Sequence, residues 1–326
     1  MSYQKKSDTF LSSDGETAIA YYVYTPEDTP RAVLQISHGM CEFIERYEDF
    51  AAFLCEHGIV VCGNDHKGHG ASAASAEDYG YFGDKGIQVL TNDLDELRKI
   101  MRKRYRSLPF ILMGHSMGSF ISRDYMARYG NNVDGVILSG TAGKHKQIGL
   151  AIALSGMIRF FRGKRYRSSL IEKLASGKYN VRFAEEKDKY SWLTKDQAIR
   201  DIYRKDERCT FTFTVEAYHD MFELLKDINT DAWAQSVPKG LPVFLIAGEE
   251  DPVGAYGEGV KEVYSLLETI ELNELKMKLY PGCRHELVNE TERETVYQDI
   301  VEWIDGICEG VIKCRTQNNA NWNFGN

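Results

Sequence analysis

No stretch of this 326-residue sequence reaches the roughly 18 apolar residues that a membrane-spanning helix needs. The first residues, Met1 to Phe10, are polar and lack the apolar centre of a secretory signal. Seven cysteines occur, an odd number at scattered positions (Cys41, Cys55, Cys62, Cys209, Cys283, Cys308 and Cys314) with no CxxC pair. Neither a disulfide framework nor a zinc site is signalled by that pattern. Positive charge is not in excess either: the formal net charge is -8, which argues against nucleic acid as a partner. These absences together point to a cytoplasmic, reduced protein.

What is present suits a folded soluble chain: 43% apolar and 27% charged residues, in a length that can bury a large core. The run Thr316 to Asn326 is rich in Asn and poor in aliphatics, and reads as a loosely held tail. One basic cluster stands out, Arg159, Arg162, Lys164, Arg165 and Arg167. It reads first as a solvated face, and second as a contact for anionic head groups or acidic substrates.

Short apolar runs of buried-strand length recur at Ile19 to Tyr24, Ala32 to Ser37, Ile59 to Gly63, Pro109 to Met113, Val133 to Leu138, Leu241 to Ala247 and Leu275 to Tyr280. Helical patterns separate them, at Arg46 to His57, Ile87 to Tyr105, Met117 to Tyr129, Val260 to Leu267 and Thr295 to Ile307. The alternation predicts an α/β fold with a mostly parallel, doubly wound sheet. From about Gly143 to Val237 it gives way to helical segments alone, Ile148 to Ile158, Ser168 to Ala175, Asp196 to Tyr203 and Thr214 to Ile228. That interval reads as a helical cap inserted over the sheet edge where ligands bind. The expected organisation is a core in two parts, 1–142 and 238–314, a cap over 143–237, and a flexible tail over 315–326.

The strongest chemical signal is Gly114-His115-Ser116-Met117-Gly118, with an apolar strand before it and a helix after it. That context is a nucleophile elbow, a sharp turn that lifts a serine hydroxyl clear of the backbone at a helix N-terminus. The hydroxyl needs a base, and the base needs a carboxylate to orient it. In this fold the order is Ser, then Asp or Glu, then His. Asp251 follows one late strand and is the expected carboxylate, with Glu249 and Glu250 beside it as competing, solvated carboxylates; His285 follows another late strand and is the expected base. His115 and His219 read as packing or exposed positions. The oxyanion donors expected are the backbone amides of Met117 and of Met40, the latter in Ser37-His38-Gly39-Met40 after an early strand. The loop Asn64-Asp65-His66-Lys67-Gly68-His69-Gly70 reads as a structural loop pinned by hydrogen bonds rather than a metal site.

In this order these landmarks resemble the monoacylglycerol lipase and lysophospholipase group of α/β-hydrolases, catalogued with the serine aminopeptidase family. The resemblance runs from Thr17 to Gly310 and is weakest in the cap. It rests on His38-Gly39-Met40-Cys41-Glu42 with Arg46-Tyr47, Asp65-His66-Lys67-Gly68-His69-Gly70-Ala71-Ser72, Gly114-His115-Ser116-Met117-Gly118-Ser119, Asp251-Pro252 and His285. In the cap, Trp192-Leu193-Thr194-Lys195-Asp196 and Cys209-Thr210-Phe211 look like bacterial lysophospholipases. The resemblance implies ester hydrolysis without metal or organic cofactor, with Glu42 and Arg46 bracing the oxyanion loop. Two departures stand out: Met40, where the family commonly carries a small residue, and the basic cluster, which maps onto no family role.

The expected partner is a small-molecule acyl ester. The apolar start of the cap offers Ile148, Leu150, Ile152 and Leu154 as an acyl lining or as a transient membrane-surface contact; plain packing on the sheet is the alternative. A serine aminopeptidase would need an acidic anchor such as Glu216 or Glu223. A small-ester carboxylesterase, a cofactor-free haloperoxidase, an acyltransferase and a non-catalytic binding module also share this framework. Serine rather than aspartate at the elbow disfavours an epoxide hydrolase or dehalogenase. No motif encodes an oligomeric state.

Overall fold

Apolar runs of five or six residues can be buried on both faces only inside a sheet covered by helices on each side. In the computed structural model, which describes residues 3–323 and side chains through residue 310, they are the interior of one eight-stranded sheet. The strands are β1 (Tyr3–Leu11), β2 (Ala18–Pro26), β3 (Ala32–Ser37), β4 (Ile59–Asn64), β5 (Phe110–His115), β6 (Gly135–Ser139), β7 (Val243–Gly248) and β8 (Leu275–Tyr280). Their order is β1-β2-β4-β3-β5-β6-β7-β8. The pairs β1–β2 and β2–β4 are antiparallel and all others parallel, so the expected α/β sheet is present.

The sequence patterns do not reveal β1. Its residues Lys5, Lys6, Ser7, Asp8 and Thr9 are exposed, and only the ladder to β2, from Tyr3 opposite Pro26 to Leu11 opposite Ala18, makes it a strand. An edge strand needs no buried face, and charge on it discourages pairing with other chains.

Helices cover both faces. On one lie α1 (Glu48–Glu56) and α10 (Arg293–Asn323), which pack Tyr47, Phe50, Leu54, Val296, Ile300 and Ile304 against the sheet. On the other lie α2 (Gly86–Arg104), α3 (Met117–Tyr129) and α9 (Glu258–Glu268), with Leu90, Leu94, Ile121, Tyr125 and Val263 in the core. Helix α10 continues through part of the run expected as a tail; residues 324–326 of that run lie outside the described residues.

Between β6 and β7 the chain makes no strand but five helices, α4 (Ile148–Arg162), α5 (Ser169–Ser176), α6 (Gln197–Lys205), α7 (Val215–Asp227) and α8 (Asp231–Ser236). Ser168, Asp196, Thr214 and Thr230 each cap the helix that follows with their side chains. Helix α7 seats this segment, burying Val215, Ala217, Tyr218 and Phe222 in the same cluster as α2 and α3. Both ends of the segment meet one buried side chain on α3. The Arg123 guanidinium donates to Ala142 O at 2.9 Å, to Ile228 O, and to Asn229 Oδ1 at 3.0 Å.

The basic cluster is a largely solvated face, with Arg162, Lys164 and Arg165 exposed, and its charges are paired within the chain. Arg159 pairs with Glu216 at 3.1 Å, Lys164 with Asp84, and Arg165 with Asp78 at 3.0 Å. Arg167 donates to the carbonyls of Thr212, Glu77 and Tyr79, and Arg162 lies over the Tyr166 ring. The partners Glu77, Asp78, Tyr79 and Asp84 belong to the loop before α2, distant in sequence, so the cluster clamps the helical segment to the sheet domain.

Candidate active site

The geometry begins with close approaches. A Cβ on Gly118 would collide with the carbonyl oxygens of Ser37 and His38, and one on Gly114 with Gly118 O and Ser122 Oγ. Only glycine lets β5, α3 and the end of β3 meet this tightly. Between the two glycines the chain turns at Ser116 with φ 53° and ψ −122°, a strained conformation for a residue with a side chain. Ser116 N–H donates to Ser139 O at 2.9 Å, and Ser119 Oγ donates to Ser116 O at 2.6 Å. Ser116 is half-buried at the head of α3, and the adjacent Met117 amide is among those a helix N-terminus leaves without an intrahelical partner.

His285 lies on the loop after β8 and Asp251 on the loop after β7, both buried. Asp251 Oδ2 is 3.0 Å from His285 Nδ1, while Asp251 Oδ1 accepts Val253 N–H at 2.8 Å. Glu249 is exposed, and Glu250 faces Arg182 at 3.6 Å, so Asp251 is the carboxylate of this trio that meets the imidazole. Gly140, with φ 60°, follows the residue that binds Ser116 N–H; a Cβ there would lie 3.0 Å from His285 Cε1 and 3.3 Å from Asp251 Oδ2. The His115 and His285 rings are 4.8 Å apart. Asp251 and His285, 34 residues apart, thus meet beyond the C-terminal ends of β7 and β8, and Ser116 stands at the C-terminal end of β5, next in the chain to the His115 ring that faces His285.

The turn after β3 crosses directly over Ser116. A Cβ on Gly39 would sit 2.6 Å from Glu42 Oε1, 3.0 Å from Ser116 Cβ and 3.3 Å from His115 Nδ1. Gly39 N–H donates to Glu42 Oε1, Tyr47 Oη donates to the same oxygen at 2.9 Å, and Arg46 donates to Glu42 Oε2 at 2.9 Å. Arg46 also grips Glu286 with two bonds, 2.9 and 2.7 Å, joining this turn to the loop that carries His285. Burial alone would raise the Glu42 carboxyl, but His115 and then Arg46 outweigh it and hold it well below the usual carboxylate range. Met40, the residue after Gly39 in this turn, is half-buried.

His38 Nδ1 donates to Gly39 O at 2.8 Å, and its Nε2 accepts His66 N–H at 2.9 Å, which fixes the tautomer. Burial pushes His66 and His69 well below the ordinary imidazole range. Asp65 accepts Ile44 N–H at 2.9 Å and Ala71 N–H at 2.8 Å. The Asn64 to Gly70 loop is thus pinned, and no cluster of His, Cys, Asp or Glu among the described residues is arranged to hold a metal ion.

The four apolar cap residues do not share one face. Ile148, Ile152 and Leu154 are half-buried and pack on the core cluster, whereas Leu150 is 61% exposed. The outward face of α4 also carries Met157, Phe160 and Phe161, at 58%, 82% and 74% exposure. A different cap segment reaches the site: His285 N–H donates to Trp192 O at 3.4 Å, Glu286 N–H to Leu193 O at 2.7 Å, and Arg284 to Ser191 O at 2.6 Å. The Trp192 ring lies 5.2 Å from the His285 ring. The sequence shows Trp192 only as part of a family-like stretch; its place beside His285 depends on chain folding between α5 and α6. A polar groove of about 700 Å³ lies elsewhere, lined by Asp14, Lys67, Asp78 and Arg165, whose charges are already paired with one another.

The chain matches the hydrolase family described as serine aminopeptidase, S33, over residues 28–292. It is 25% identical to the monoacylglycerol lipase of Mycolicibacterium smegmatis, covering 92% of this chain and 97% of that one. It is also 25% identical to the human monoglyceride lipase, over 90% of this chain and 88% of the relative. Its fold superposes with a TM-score of 0.87 on a highly thermostable carboxyl esterase from Bacillus coagulans in complex with glycerol, 32% identical over 94% of this chain and 99% of that structure.

Proposed function

The chain belongs to the serine aminopeptidase S33 family of hydrolases, and from that premise we propose that it hydrolyses carboxylic esters of monoacylglycerol or lysophospholipid type through an acyl-enzyme on Ser116. The observation that carries this reading is the buried Asp251–His285 pair set beside a serine in a strained elbow. His285 takes the Ser116 proton through Nε2, the nitrogen not bonded to Asp251, as the hydroxyl attacks the ester carbonyl. Asp251 holds the ring and stabilises its charged form. The amides of Met40 and Met117 receive the oxyanion, each donor worth about 3 kcal/mol in the transition state. His285 then returns the proton to the leaving alcohol, and water repeats the cycle to free the acid. No step calls for a metal or an organic cofactor.

The acyl chain lies under the cap against Ile148, Ile152 and Leu154, and the exposed face of α4, with Leu150, Met157, Phe160 and Phe161, meets the lipid surface from which substrate is drawn. Both carboxylates considered as anchors for the aminopeptidase alternative have cationic neighbours. Glu216 is buried and paired with Arg159 at 3.1 Å, and Glu223 lies 3.5 Å from Lys226, so neither is free to bind a substrate ammonium.

A fluorophosphonate probe should label the protein and fail to label Ser116→Ala, whose kcat should fall on the order of 10⁵- to 10⁶-fold. A panel of p-nitrophenyl esters and monoacylglycerols should favour medium to long acyl chains. Turnover confined to acetyl esters would overturn the lipid assignment, and turnover of aminoacyl naphthylamides alone would restore the peptidase.

A further inference from the structure

We propose that His115, the residue before the serine of the elbow, is a positioning residue kept as an imidazolium, whose two N–H groups tie the oxyanion turn to the main chain of the general base. The inference rests on the ester-hydrolase reading above. It follows from a proton count. His115 Nε2 lies 3.3 Å from the carbonyl oxygen of His285, an atom that only accepts, so Nε2 carries a proton. His115 Nδ1 lies 2.9 Å from Glu42 Oε1 and 3.0 Å from Tyr47 Oη. With Glu42 ionised, the 2.9 Å contact to Nδ1 is a hydrogen bond only if Nδ1 holds the proton, and Tyr47 then gives its one hydroxyl proton to Glu42 at 2.9 Å. An ionised carboxylate only accepts, so Nδ1 carries a proton as well.

The charge count agrees. Glu42, Glu286, His115 and Arg46 form one enclosed cluster. Arg46 bonds to both carboxylates and supplies one positive charge; His115 supplies the second. With a neutral ring the cluster would wall in an unbalanced negative charge beside the position where the oxyanion forms, at high cost. The other groups around the ring are Tyr47, His38, Asp251 and His285. Burial opposes a charged His115, but Glu42, then Glu286 and Asp251, outweigh it and raise its pKa.

The mechanical consequence runs through Glu42. Its Oε1 accepts from His115 and from Gly39 N–H, so the ring's charge fixes the carboxylate that anchors the His38–Gly39 peptide, one residue before the Met40 amide. The other end of the ring holds the loop bearing the base. One proton thereby sets the spacing of oxyanion turn and imidazole on either side of Ser116.

The test is nitrogen-15 NMR of the histidine rings in the wild-type protein. Both His115 nitrogens should read as protonated at pH 7; a neutral tautomer overturns the proposal. Kinetics give a second readout. His115→Gln and Glu42→Gln should each lower kcat roughly 100-fold with little change in KM, because an oxyanion donor is misplaced while the substrate is still bound as before. The double variant, neutral again in sum, should be no worse than either single, whereas additive losses would overturn the charge-balance argument. If the wild-type protein fails to react with the fluorophosphonate probe, the ester reading falls while the NMR result still decides the protonation of His115.

Discussion

The shell around Ser116 and the outer face of α4 meet water on opposite terms. Around the serine, Glu42, His115, Asp251, His285 and Glu286 are buried, and each is answered by another charge or a hydrogen bond. On α4, Leu150, Met157, Phe160 and Phe161 stand largely in solvent. Buried polar networks lose much when one member goes, because the group left behind has no water to turn to. An exposed apolar face loses little stability on substitution but forfeits whatever surface it was made to meet. The core therefore fixes geometry, while the proposed role of the α4 face is contact. The seam between them depends on ion pairs that are mostly exposed, each worth at most about 1 kcal/mol, and on one buried arginine.

Three variants probe that contrast. The largest effect is expected at the core: Asp251→Asn should lower kcat/KM about 10⁴-fold, since an amide can stabilise the wrong tautomer of His285, with circular dichroism showing an unaltered fold. At the seam, Arg123→Met should cost about 3 kcal/mol in urea unfolding, because the carbonyls of Ala142 and Ile228 lose a buried donor. An unchanged midpoint would mean that Arg123 does not hold the two ends of the cap. The smallest effect on stability is expected outside: Phe160→Ser with Phe161→Ser should move it by less than about 0.5 kcal/mol. That pair should leave p-nitrophenyl ester turnover within about twofold and slow hydrolysis of vesicle-borne monoacylglycerol roughly tenfold, a split between dissolved and lipid-borne substrate that would isolate the role of this face.

The features legible in the sequence share one property, a local signal. Strands β3 and β8 begin and end where their apolar runs do, and α3 spans the predicted Met117 to Tyr129, between the turn at Ser116 and Gly130. Ser116, Asp251 and His285 each stand just after a recognisable strand. Strand β1 escapes such a reading because an edge strand advertises no buried face, and the pairing of the basic cluster escapes it because Asp78 and Asp84 lie 80 to 87 residues before Arg165 and Lys164, and Glu216 lies 57 residues after Arg159. The two phenylalanines at the end of α4 give no sign of their exposure, since helical periodicity does not say which face another element will cover.

Composition and short-range pattern settled the class of sheet, the elbow and the order of its candidate partners, for these depend on backbone preferences that act over a few residues. That Trp192 stands beside His285, that Arg123 grips both ends of the cap and that His115 takes part in a charge-balanced cluster were decided by tertiary structure alone. Each depends on groups from distant segments being driven into one dehydrated space, where a polar atom must find its partner among whatever the fold brings near.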